Sequence, residues 1–308
     1  MLIFKSLDEL RRRPSPHAVA IGNFDGVHRG HRRILRILRD KALREDLVPL
    51  VLTFDPHPGK ITGKGTIRLL QTTSQKLASL SREEIENVLL MPFDRELAGM
   101  SGRDFVRTVI VEAIQARVIV IGDHFRFGKD RSGDVHALER LARDFGLSVS
   151  AVPPLLQGGK KISSTLIRRK ILTGDMETAA ALLGRPHEIE GRVIRGEARG
   201  TGLGFPTANL SSPNEILPGG VFISRVLFDG RDLPALTNIG TRPTFGRGVS
   251  RIETHLLNFS GNLYDRLLSI RLLKKIRDEQ PFDSPAALTR RIHRDMRSAR
   301  EFFSEQPE

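Results

Sequence analysis

The sequence predicts a doubly wound α/β domain followed by an antiparallel β-barrel domain with a C-terminal helix. In the first half, apolar strand-like runs alternate with amphipathic helix-like segments, a rhythm typical of a parallel sheet with helices on both faces. Beyond residue 184 the strand-like runs become short, closely spaced and separated by glycines, as in an antiparallel barrel. Apolar residues at helical spacing over residues 284–303 predict the terminal helix.

The first strand of the parallel sheet is expected at Ala18-Val19-Ala20-Ile21, an apolar run that ends at a glycine. Apolar residues then recur at helical spacing over residues 30–45, with arginines on the opposite face. The same criteria predict, in order, strand 48–54, helix 103–115, strand 118–121, helix 136–145 and strand 148–152. Parallel sheets bind ligands beyond the carboxyl ends of their strands, so we expect binding loops after Ile21, Phe54 and Ile121.

The change of pattern predicts a domain boundary near residue 184. Residues 162–183 have the pattern of two short helices separated by Thr173-Gly174-Asp175. Alternating strand-like segments follow at residues 189–193, 221–226, 252–256 and 268–272. We therefore expect one domain over residues 1–183 and a second over residues 184–308.

The composition is that of a folded protein. At roughly 150 residues per domain, 308 residues correspond to about two domains, and 39% hydrophobic residues exclude a mainly disordered chain. Cysteine is absent, which excludes disulfides, thiolate metal sites and a cysteine nucleophile. No apolar run reaches the roughly 18 residues of a membrane span, and the N-terminus does not resemble a signal peptide. We therefore expect a cytoplasmic protein.

The charge is strongly basic: 49 Lys and Arg against 36 Asp and Glu give a net charge of +13. Such a surplus raises the question of a polyanionic partner, such as nucleic acid, an anionic membrane or phosphorylated small molecules. Acidic residues are interleaved with the basic ones, and the chain has no Trp and one Tyr on which bases would stack. A solvated basic surface is therefore the favoured interpretation, with nucleic-acid binding as the alternative.

The segment between the first strand and the first helix carries His28 and His31 in the sequence HRGH. At this spacing the two share one face of the first helical turn, where the helix dipole and free backbone N–H groups favour anionic oxygen. Imidazole donors there stabilise charge that develops on a phosphate, and Gly30 allows a nucleotide to approach closely. A lone histidine is more often a surface or capping residue, but this pair directly after a strand favours phosphate chemistry.

Two further segments support a nucleotide site. Residues 53–58, TFDPHP, follow the second strand, where substrate loops of parallel sheets lie. Ser163, Ser164 and Thr165 precede a helix that carries Arg168 one turn later, which predicts a phosphate cradle with a guanidinium for the β- and γ-phosphates. Such hydroxyls are by themselves usually an N-cap, but together with HRGH they favour a nucleotide site.

In the second half, a glycine-rich turn at residues 200–204 leads into Pro206, Thr207 and Asn209. Glycines let the backbone approach phosphates, and the neutral oxygens of the threonine and the asparagine suit Mg²⁺, which keeps water and substrate phosphates as its other ligands. Glu253 alternates with apolar residues in a predicted strand. By itself the turn is equally compatible with an ordinary β-turn, and such a glutamate is usually a solvent-facing strand residue.

Together these segments resemble a known family. GNFDGVHRGH at residues 22–31, TFDPHP, GDHFRFG at residues 122–128 and SSTLIR at residues 163–168 are similar to the FMN adenylyltransferase half of bacterial bifunctional riboflavin kinase/FAD synthetases, a Rossmann-like HxGH nucleotidyltransferase. PTAN at residues 206–209, followed by a glutamate in a later strand, is similar to the riboflavin kinase barrel of the same enzymes.

The resemblance implies two activities and the residues that carry them. It implies His28, His31 and Arg168 as catalytic residues of adenylylation, and Glu253 as the base that accepts the proton of the flavin's 5′-hydroxyl. The implied nucleotide-binding positions are Gly22, Asn23, Phe24, Asp25, Gly30, Ser163, Ser164, Thr165, Gly196, Gly200, Gly204 and Pro206. The implied flavin-binding positions are His57, Asp123, His124, Arg126 and Arg277, and the implied Mg²⁺ ligands are Thr207 and Asn209.

The resemblance also implies the small molecules: riboflavin, FMN and ATP as substrates, Mg²⁺ as cofactor, and FMN and FAD as products. We expect a monomer or weak homo-oligomer without a nucleic-acid or membrane partner. Two alternatives stay open. A nucleotidyltransferase for another phosphorylated metabolite, with the barrel as a binding module, is disfavoured by the presence of Thr207, Asn209 and Glu253. A basic nucleic-acid-binding protein would bind generic DNA or RNA with steep salt dependence.

Overall fold

A computed structural model of the chain describes residues 1–63, 67–196, 205–241 and 250–305. The chain divides into two compact units, Met1–Ser164 and Thr165–Glu308. The division falls at the start of the helices predicted over residues 162–183, so these helices are grouped with the second unit. A domain boundary after residue 183 stays a prediction.

The first unit is built on parallel strands. Its strands are Leu2–Phe4 (β1), His17–Ile21 (β2), Val48–Phe54 (β3), Asn87–Met91 (β4), Ala116–Gly122 (β5) and Ser148–Val152 (β6). The helices are Leu7–Arg11 (α1), Arg29–Arg44 (α2), Pro58–Ile61 (α3), Thr73–Arg82 (α4), Arg95–Gly99 (α5), Gly102–Asp104 (α6) and Val135–Asp144 (α7). A short 3-10 turn lies at Lys129–Arg131, and a small hairpin at Leu156–Gln157 (β7) and Lys160–Lys161 (β8).

The described strands form a six-stranded sheet in the order β1-β4-β3-β2-β5-β6, with every neighbouring pair parallel. Alternate residues of each strand point to opposite faces, and both faces are buried. Val19, Ile21 and Leu50 belong to one core cluster, while Ala18 and Ala20 belong to the other. The predicted doubly wound sheet is therefore confirmed.

In the first unit, one predicted helix has a different form, and the strands β1, β4, β7 and β8 were not predicted. Residues 103–115 are α-helical only at the start, and Phe105–Ala113 is a π-helix in which, for example, the N–H of Ile114 donates to the carbonyl of Val109. Apolar spacing at period 3.6 does not separate the two helix types over so short a length. β1 is the edge strand of the sheet and pairs with β4, which lies between β1 and β3. Strands of three and five residues carry little local signal.

The second unit begins with two helices and continues as strands. Its helices are Ser164–Leu172 (α8), of which Ser164 still belongs to the first unit, Met176–Leu183 (α9) and Pro285–Ser304 (α10). Its strands are His187–Ile194 (β9), Ala208–Ser211 (β10), Gly220–Phe228 (β11), Arg231–Thr241 (β12), Ser250–Leu256 (β13) and Leu267–Arg277 (β14). The described strands close into an antiparallel barrel in the order β10-β13-β12-β11-β14-β9, which confirms the predicted barrel and its terminal helix.

Side-chain alternation in the barrel separates an inner from an outer face. The buried hydroxyls of Ser224, Thr237 and Thr254 form a hydrogen-bonded row across β11, β12 and β13. Glu253 precedes Thr254 and therefore points to the opposite side of β13. On that side, Met296 and Ala299 of α10 pack in an apolar cluster with strand residues such as Val221. Within the described part of the chain, no helix is long and apolar enough to cross a bilayer.

Candidate functional site

In the first unit, the strand order reverses beside β2, which has β3 on one side and β5 on the other. In open parallel sheets this reversal opens a crevice at the carboxyl ends of the strands, where ligands bind. The loop from Gly22 to Val27 leaves β2 at this point and leads to the N-terminus of α2. The HRGH segment therefore lies where a nucleotide site is expected.

The two histidines of HRGH form one stacked unit. Their ring centroids are 3.6 Å apart and the ring planes are inclined by 16°. His28 is the N-cap of α2 with extended backbone, and its Nδ1 accepts a hydrogen bond of 3.3 Å from the N–H of His31. His28 therefore caps the first turn, since the helix begins at Arg29, and the stacked rings lie on one face of that turn as expected. The cap brings both imidazoles to the helix N-terminus.

Small and aromatic neighbours hold this pair in place. A Cβ on Gly30 would lie 3.2 Å from Cε1 and Nδ1 of His28, so the glycine leaves room for that ring. Phe24 is 1% exposed, and its ring meets the edge of His31 with centroids 5.3 Å apart. The aromatic ring of Phe24 thus supports the histidine from the core. Gly22 is similarly close to this ring, since its Cβ would lie 3.2 Å from Phe24, and Asn23 offers its backbone carbonyl to the hydroxyl of Thr53.

Asp25 connects segments that are far apart in the sequence. Its carboxylate accepts a hydrogen bond of 2.9 Å from the N–H of Leu70, and its backbone carbonyl accepts one of 2.9 Å from the hydroxyl of Ser164. Ser164, the last residue of the first unit, is thereby fixed against the loop after β2. Ser163 is half-buried beside it, and Thr165 and Arg168 follow on α8 beyond the division between the units. The phosphate roles of these four residues stay predictions.

A buried lysine that sequence reasoning missed lies against the end of β3. Lys76 of α4 is 8% exposed and donates to the hydroxyl of Thr53 at 3.3 Å and to the carbonyl of Phe54 at 3.0 Å. Burial lowers the pKa of its ammonium group, while the carboxylates of Asp55 and Asp25 act in the opposite direction. A lysine on the buried face of an amphipathic helix is the sequence signal that marks such a residue.

The predicted flavin positions of the first unit lie in two loops. His57 is the N-cap of the short helix α3, and its Nδ1 accepts a hydrogen bond of 3.0 Å from the N–H of Gly59. Asp123 and His124 follow β5, with 3.8 Å between the carboxylate and the imidazole. Arg126 is exposed and pairs with Asp134 at 3.3 Å. Their contact with flavin stays a prediction.

In the barrel, strand pairing brings the predicted metal ligand and the predicted base together. Asn209 of β10 lies directly opposite Glu253 of β13, and Asn238 of β12 lies opposite Glu253 on its other side. The carboxylate of Glu253 pairs with Arg251 at 2.7 Å, and Nε of Arg251 donates to the amide oxygen of Asn209 at 3.3 Å. Sequence reasoning missed Arg251, which stands two residues before Glu253 and therefore on the same face of the strand.

A cavity of about 330 Å³ opens on this face of the barrel. Phe205, Leu236 and α10 residues such as Ile292 and Met296 supply an apolar wall, and the polar lining includes Thr207, Asn238, Arg251, Glu253, Arg277 and Glu279. An apolar cavity with a few convergent polar groups is the usual form of a small-molecule site. Glu253 faces this cavity, so the alternative that it is simply a solvent-facing strand residue is not supported.

Arg277 is held at the edge of the cavity by α10. Its Nε donates to the carboxylate of Asp295 at 2.9 Å, and the other oxygen of that carboxylate accepts from Arg291 at 3.0 Å. Asp295 is 2% exposed, and a buried carboxylate is stable only when it is paired. The barrel edge and the terminal helix are thus joined by a buried charge cluster. Arg291 and Asp295 have i,i+4 spacing on α10, whereas the contact of Asp295 with Arg277 is long-range.

The remaining predicted positions of the barrel flank Asn209. Gly196 lies against its amide, and a Cβ at that position would collide with this group. Pro206 is exposed, and its backbone carbonyl lies 2.8 Å from Nδ1 of His255. Gly200 and Gly204 lie outside the described residues.

Comparison with known proteins gives matches over both units. Residues 10–166 match the family model for FAD synthetase, and residues 183–303 match the one for riboflavin kinase. Two similar proteins carry the name bifunctional riboflavin kinase/FMN adenylyltransferase. The one from Escherichia coli strain K12 is 37% identical over 98% of both chains, and the one from Pseudomonas fluorescens is 36% identical over 97% of both chains.

A solved structure from Streptococcus pneumoniae, named a macrolide-efflux protein, has the same fold. It matches with a TM-score of 0.88 and 29% identity, over 97% of this chain and 98% of that chain. The likeness in fold therefore extends over both units.

Proposed function

The chain belongs to the bifunctional riboflavin kinase/FMN adenylyltransferase family, and from this premise we propose the reactions and the residues that perform them. The barrel transfers the γ-phosphate of ATP to riboflavin and forms FMN and ADP. The first unit then transfers the adenylyl group of a second ATP to FMN and releases FAD and pyrophosphate. The observation that carries the proposal is that Glu253 faces an apolar cavity beside Asn209, while the same chain holds a stacked histidine pair at the crevice of a parallel sheet.

Adenylylation needs positioning and charge stabilisation more than proton transfer. The phosphate of FMN has a second pKa near ~6 and attacks the α-phosphorus already ionised. A new P–O bond forms to the FMN phosphate as the bond to the β-phosphate oxygen breaks, and pyrophosphate leaves. The stacked imidazoles of His28 and His31 lie where N–H donors stabilise the charge on the α-phosphate. Ser163, Ser164, Thr165 and Arg168 are proposed to hold the triphosphate.

Phosphorylation of riboflavin requires a base, because an alcohol must lose its proton as it attacks phosphorus. Glu253 is proposed to accept the proton of the 5′-hydroxyl while the γ-phosphate is transferred and ADP leaves. Apolar residues such as Phe205 and Leu236 give the cavity a wall suited to the flat flavin ring. Arg277, fixed by Asp295, is proposed to contact the flavin at the cavity edge.

The donor set of the barrel suits Mg²⁺. Thr207 and Asn209 offer neutral oxygens, and Gly196 leaves the space in which the asparagine amide lies. Within the described residues no cluster of three or more His, Cys, Asp and Glu side chains is found, and Mg²⁺ is commonly bound through few protein oxygens together with substrate phosphates. When bound, the ion would neutralise charge on the β- and γ-phosphates.

A product assay tests both halves of the proposal. The full chain is incubated with riboflavin, ATP and Mg²⁺, and the flavins are separated by chromatography; FMN and FAD are both expected, and FMN alone contradicts adenylylation. Glu253→Gln should abolish FMN formation and leave FAD formation from supplied FMN. The double variant His28→Ala with His31→Ala should do the reverse, with a loss of about 10²-fold or more. Glu188→Gln and His136→Ala are the matched controls, and loss of both activities in either catalytic variant contradicts the assignment of sites to units.

We further propose that the chain works in the cytoplasm as a monomer or weak homo-oligomer, with riboflavin, FMN and ATP as partners and without nucleic acid or membrane. The absence of cysteine suits a reducing compartment. Light scattering of the protein as it elutes from a gel-filtration column measures the oligomeric state. The salt dependence of its binding to generic RNA checks the nucleic-acid alternative.

A further inference from the structure

We propose that Arg251 acts as a positioning residue that occupies the cation position of the barrel site when no ligand is bound, and that Mg²⁺ with ATP displaces it. The inference rests on the proposed kinase function and concerns how that site is held before the substrates bind.

The guanidinium of Arg251 bridges the two groups on which the kinase chemistry depends. One terminal nitrogen lies 2.7 Å from the carboxylate of Glu253, and Nε donates to the amide oxygen of Asn209 at 3.3 Å. Asn209 and Glu253 are directly paired across β10 and β13. A single monovalent cation therefore joins the proposed metal ligand to the proposed base.

The other charged and polar groups of the cavity have contacts elsewhere, and it is Arg251 that lies between Asn209 and Glu253. Arg277, the other arginine of the cavity, is engaged by Asp295. His255 lies against the carbonyl of Pro206, and Glu279 accepts a hydrogen bond from Asn238. Among the described residues of the cavity, the cation in contact with both Asn209 and Glu253 is thus the guanidinium of Arg251.

The bridge is suited to be displaced. The side chains of Arg251 and Glu253 are 27% and 24% exposed, so water screens the pair and its contribution is modest. A divalent ion competes for the same amide oxygen with twice the charge and brings the ATP phosphates as further ligands. While the bridge is intact, the guanidinium offsets the charge of Glu253 and holds the amide oxygen of Asn209 by a hydrogen bond.

The test compares Mg²⁺-dependent nucleotide binding in the full chain and its variants. Calorimetry with ADP at increasing Mg²⁺ concentration measures the binding, and the heat that disappears in Asn209→Ala is assigned to the barrel. In Arg251→Gln, the Mg²⁺ concentration for half-saturation of the barrel should fall about fivefold, the effect of removing a competitor worth about 1 kcal/mol. Arg251→Lys keeps the positive charge but not the several N–H donors of the guanidinium. Its Mg²⁺ concentration for half-saturation should lie between those of the wild type and Arg251→Gln.

The matched control is Arg271→Gln, because Arg271 lies in the same barrel and pairs with Glu188 and Asp232 at a similar exposure of 31%. It should leave the Mg²⁺ dependence unchanged. Weaker Mg²⁺-dependent binding in Arg251→Gln would mean that the arginine serves the phosphates directly, and an unchanged dependence would mean that it does not compete; either result overturns the proposal. Failure of the wild-type chain to form FMN would instead overturn the kinase function itself.

Discussion

The hydroxyl of Ser164 donates a hydrogen bond of 2.9 Å to the backbone carbonyl of Asp25, a residue 139 positions earlier in the chain. Asp25 also accepts from the N–H of Leu70 through its carboxylate. One residue thereby connects three segments of the first unit: the loop after β2, the approach to α4 and Ser164. The loop that carries His28 is held by contacts that no local sequence pattern encodes.

Ser164→Ala should slow FAD formation from FMN. We expect kcat/KM to fall about fivefold, because a hydrogen bond of this kind contributes about 1 kcal/mol and its loss loosens the histidine loop. FMN formation from riboflavin should not change. Ser132→Ala removes a hydroxyl that bonds to the carbonyl of Lys129 on an exposed turn of the same unit, and it should behave as wild type. An equal loss in both variants would contradict the role given to Ser164.

Gly30→Ala should separate activity from stability. The new Cβ would lie 3.2 Å from the ring of His28, so the stacked pair must shift, and FAD formation should fall about tenfold. Alanine has the better helix propensity by about 1 kcal/mol, so the unfolding temperature should not fall. Gly99→Ala is the control, since a Cβ at that position in α5 would meet nothing within 4 Å. Full activity of Gly30→Ala would show that the ring does not need this space.

Lys76→Met should lower FAD formation about tenfold with little loss of stability. The methionine keeps the volume but removes the ammonium that donates to Thr53 and Phe54 at the end of β3. Thr53 in turn donates to the carbonyl of Asn23 in the loop after β2, so that loop loses support. Because burial already lowers the pKa of this ammonium, the folded state gains little from its charge. Urea unfolding followed by circular dichroism measures stability, and exposed Lys129→Met is the control. Collapse of the fold in Lys76→Met would show that the lysine is structural.

The stability of the barrel should fall in mild acid because of His187. Complete burial lowers the pKa of its imidazole from 6.5 to about 4, with Nε2 lying 3.4 Å from the carbonyl of Ile216. The folded state therefore favours neutral histidine, so its contribution is complete above pH 6.5 and is lost as the pH falls towards 4. The loss amounts to roughly 3 kcal/mol at most.

His187→Gln should flatten this dependence, which urea unfolding at pH 7, 6, 5 and 4 measures. His136→Gln, which replaces an exposed histidine of the first unit, is the control. An unchanged acid dependence in His187→Gln would show that other groups govern it. Burial also lowers the pKa of His17 in the first unit, so a smaller dependence of the same sign should persist there.

Periodicity was sufficient for most of the fold. The strand beginning near Ala18 is buried on both faces and is therefore apolar throughout, and the helix that follows is buried on one face and is therefore amphipathic. Both are present, as β2 and α2. The π-helix at Phe105–Ala113 and the edge pair of β1 with β4 were not predictable in this way. A π-helix differs from an α-helix by one residue per hydrogen-bonded turn, and edge pairing is a long-range choice.

By itself, the sequence determined which chemical groups are present and in which order: two histidines after a strand, hydroxyls around the start of a helix, and PTAN before a strand glutamate. Each of these patterns spans a few neighbouring residues, so local backbone preferences are enough to place it at the end of a strand or the start of a helix. Only the tertiary structure decided that His28 caps its helix and stacks on His31, that buried Lys76 donates to the end of β3, and that Arg251 bridges Asn209 and Glu253. The reason is physical, since burial and strand register depend on residues far apart in the chain, and they set which charges meet.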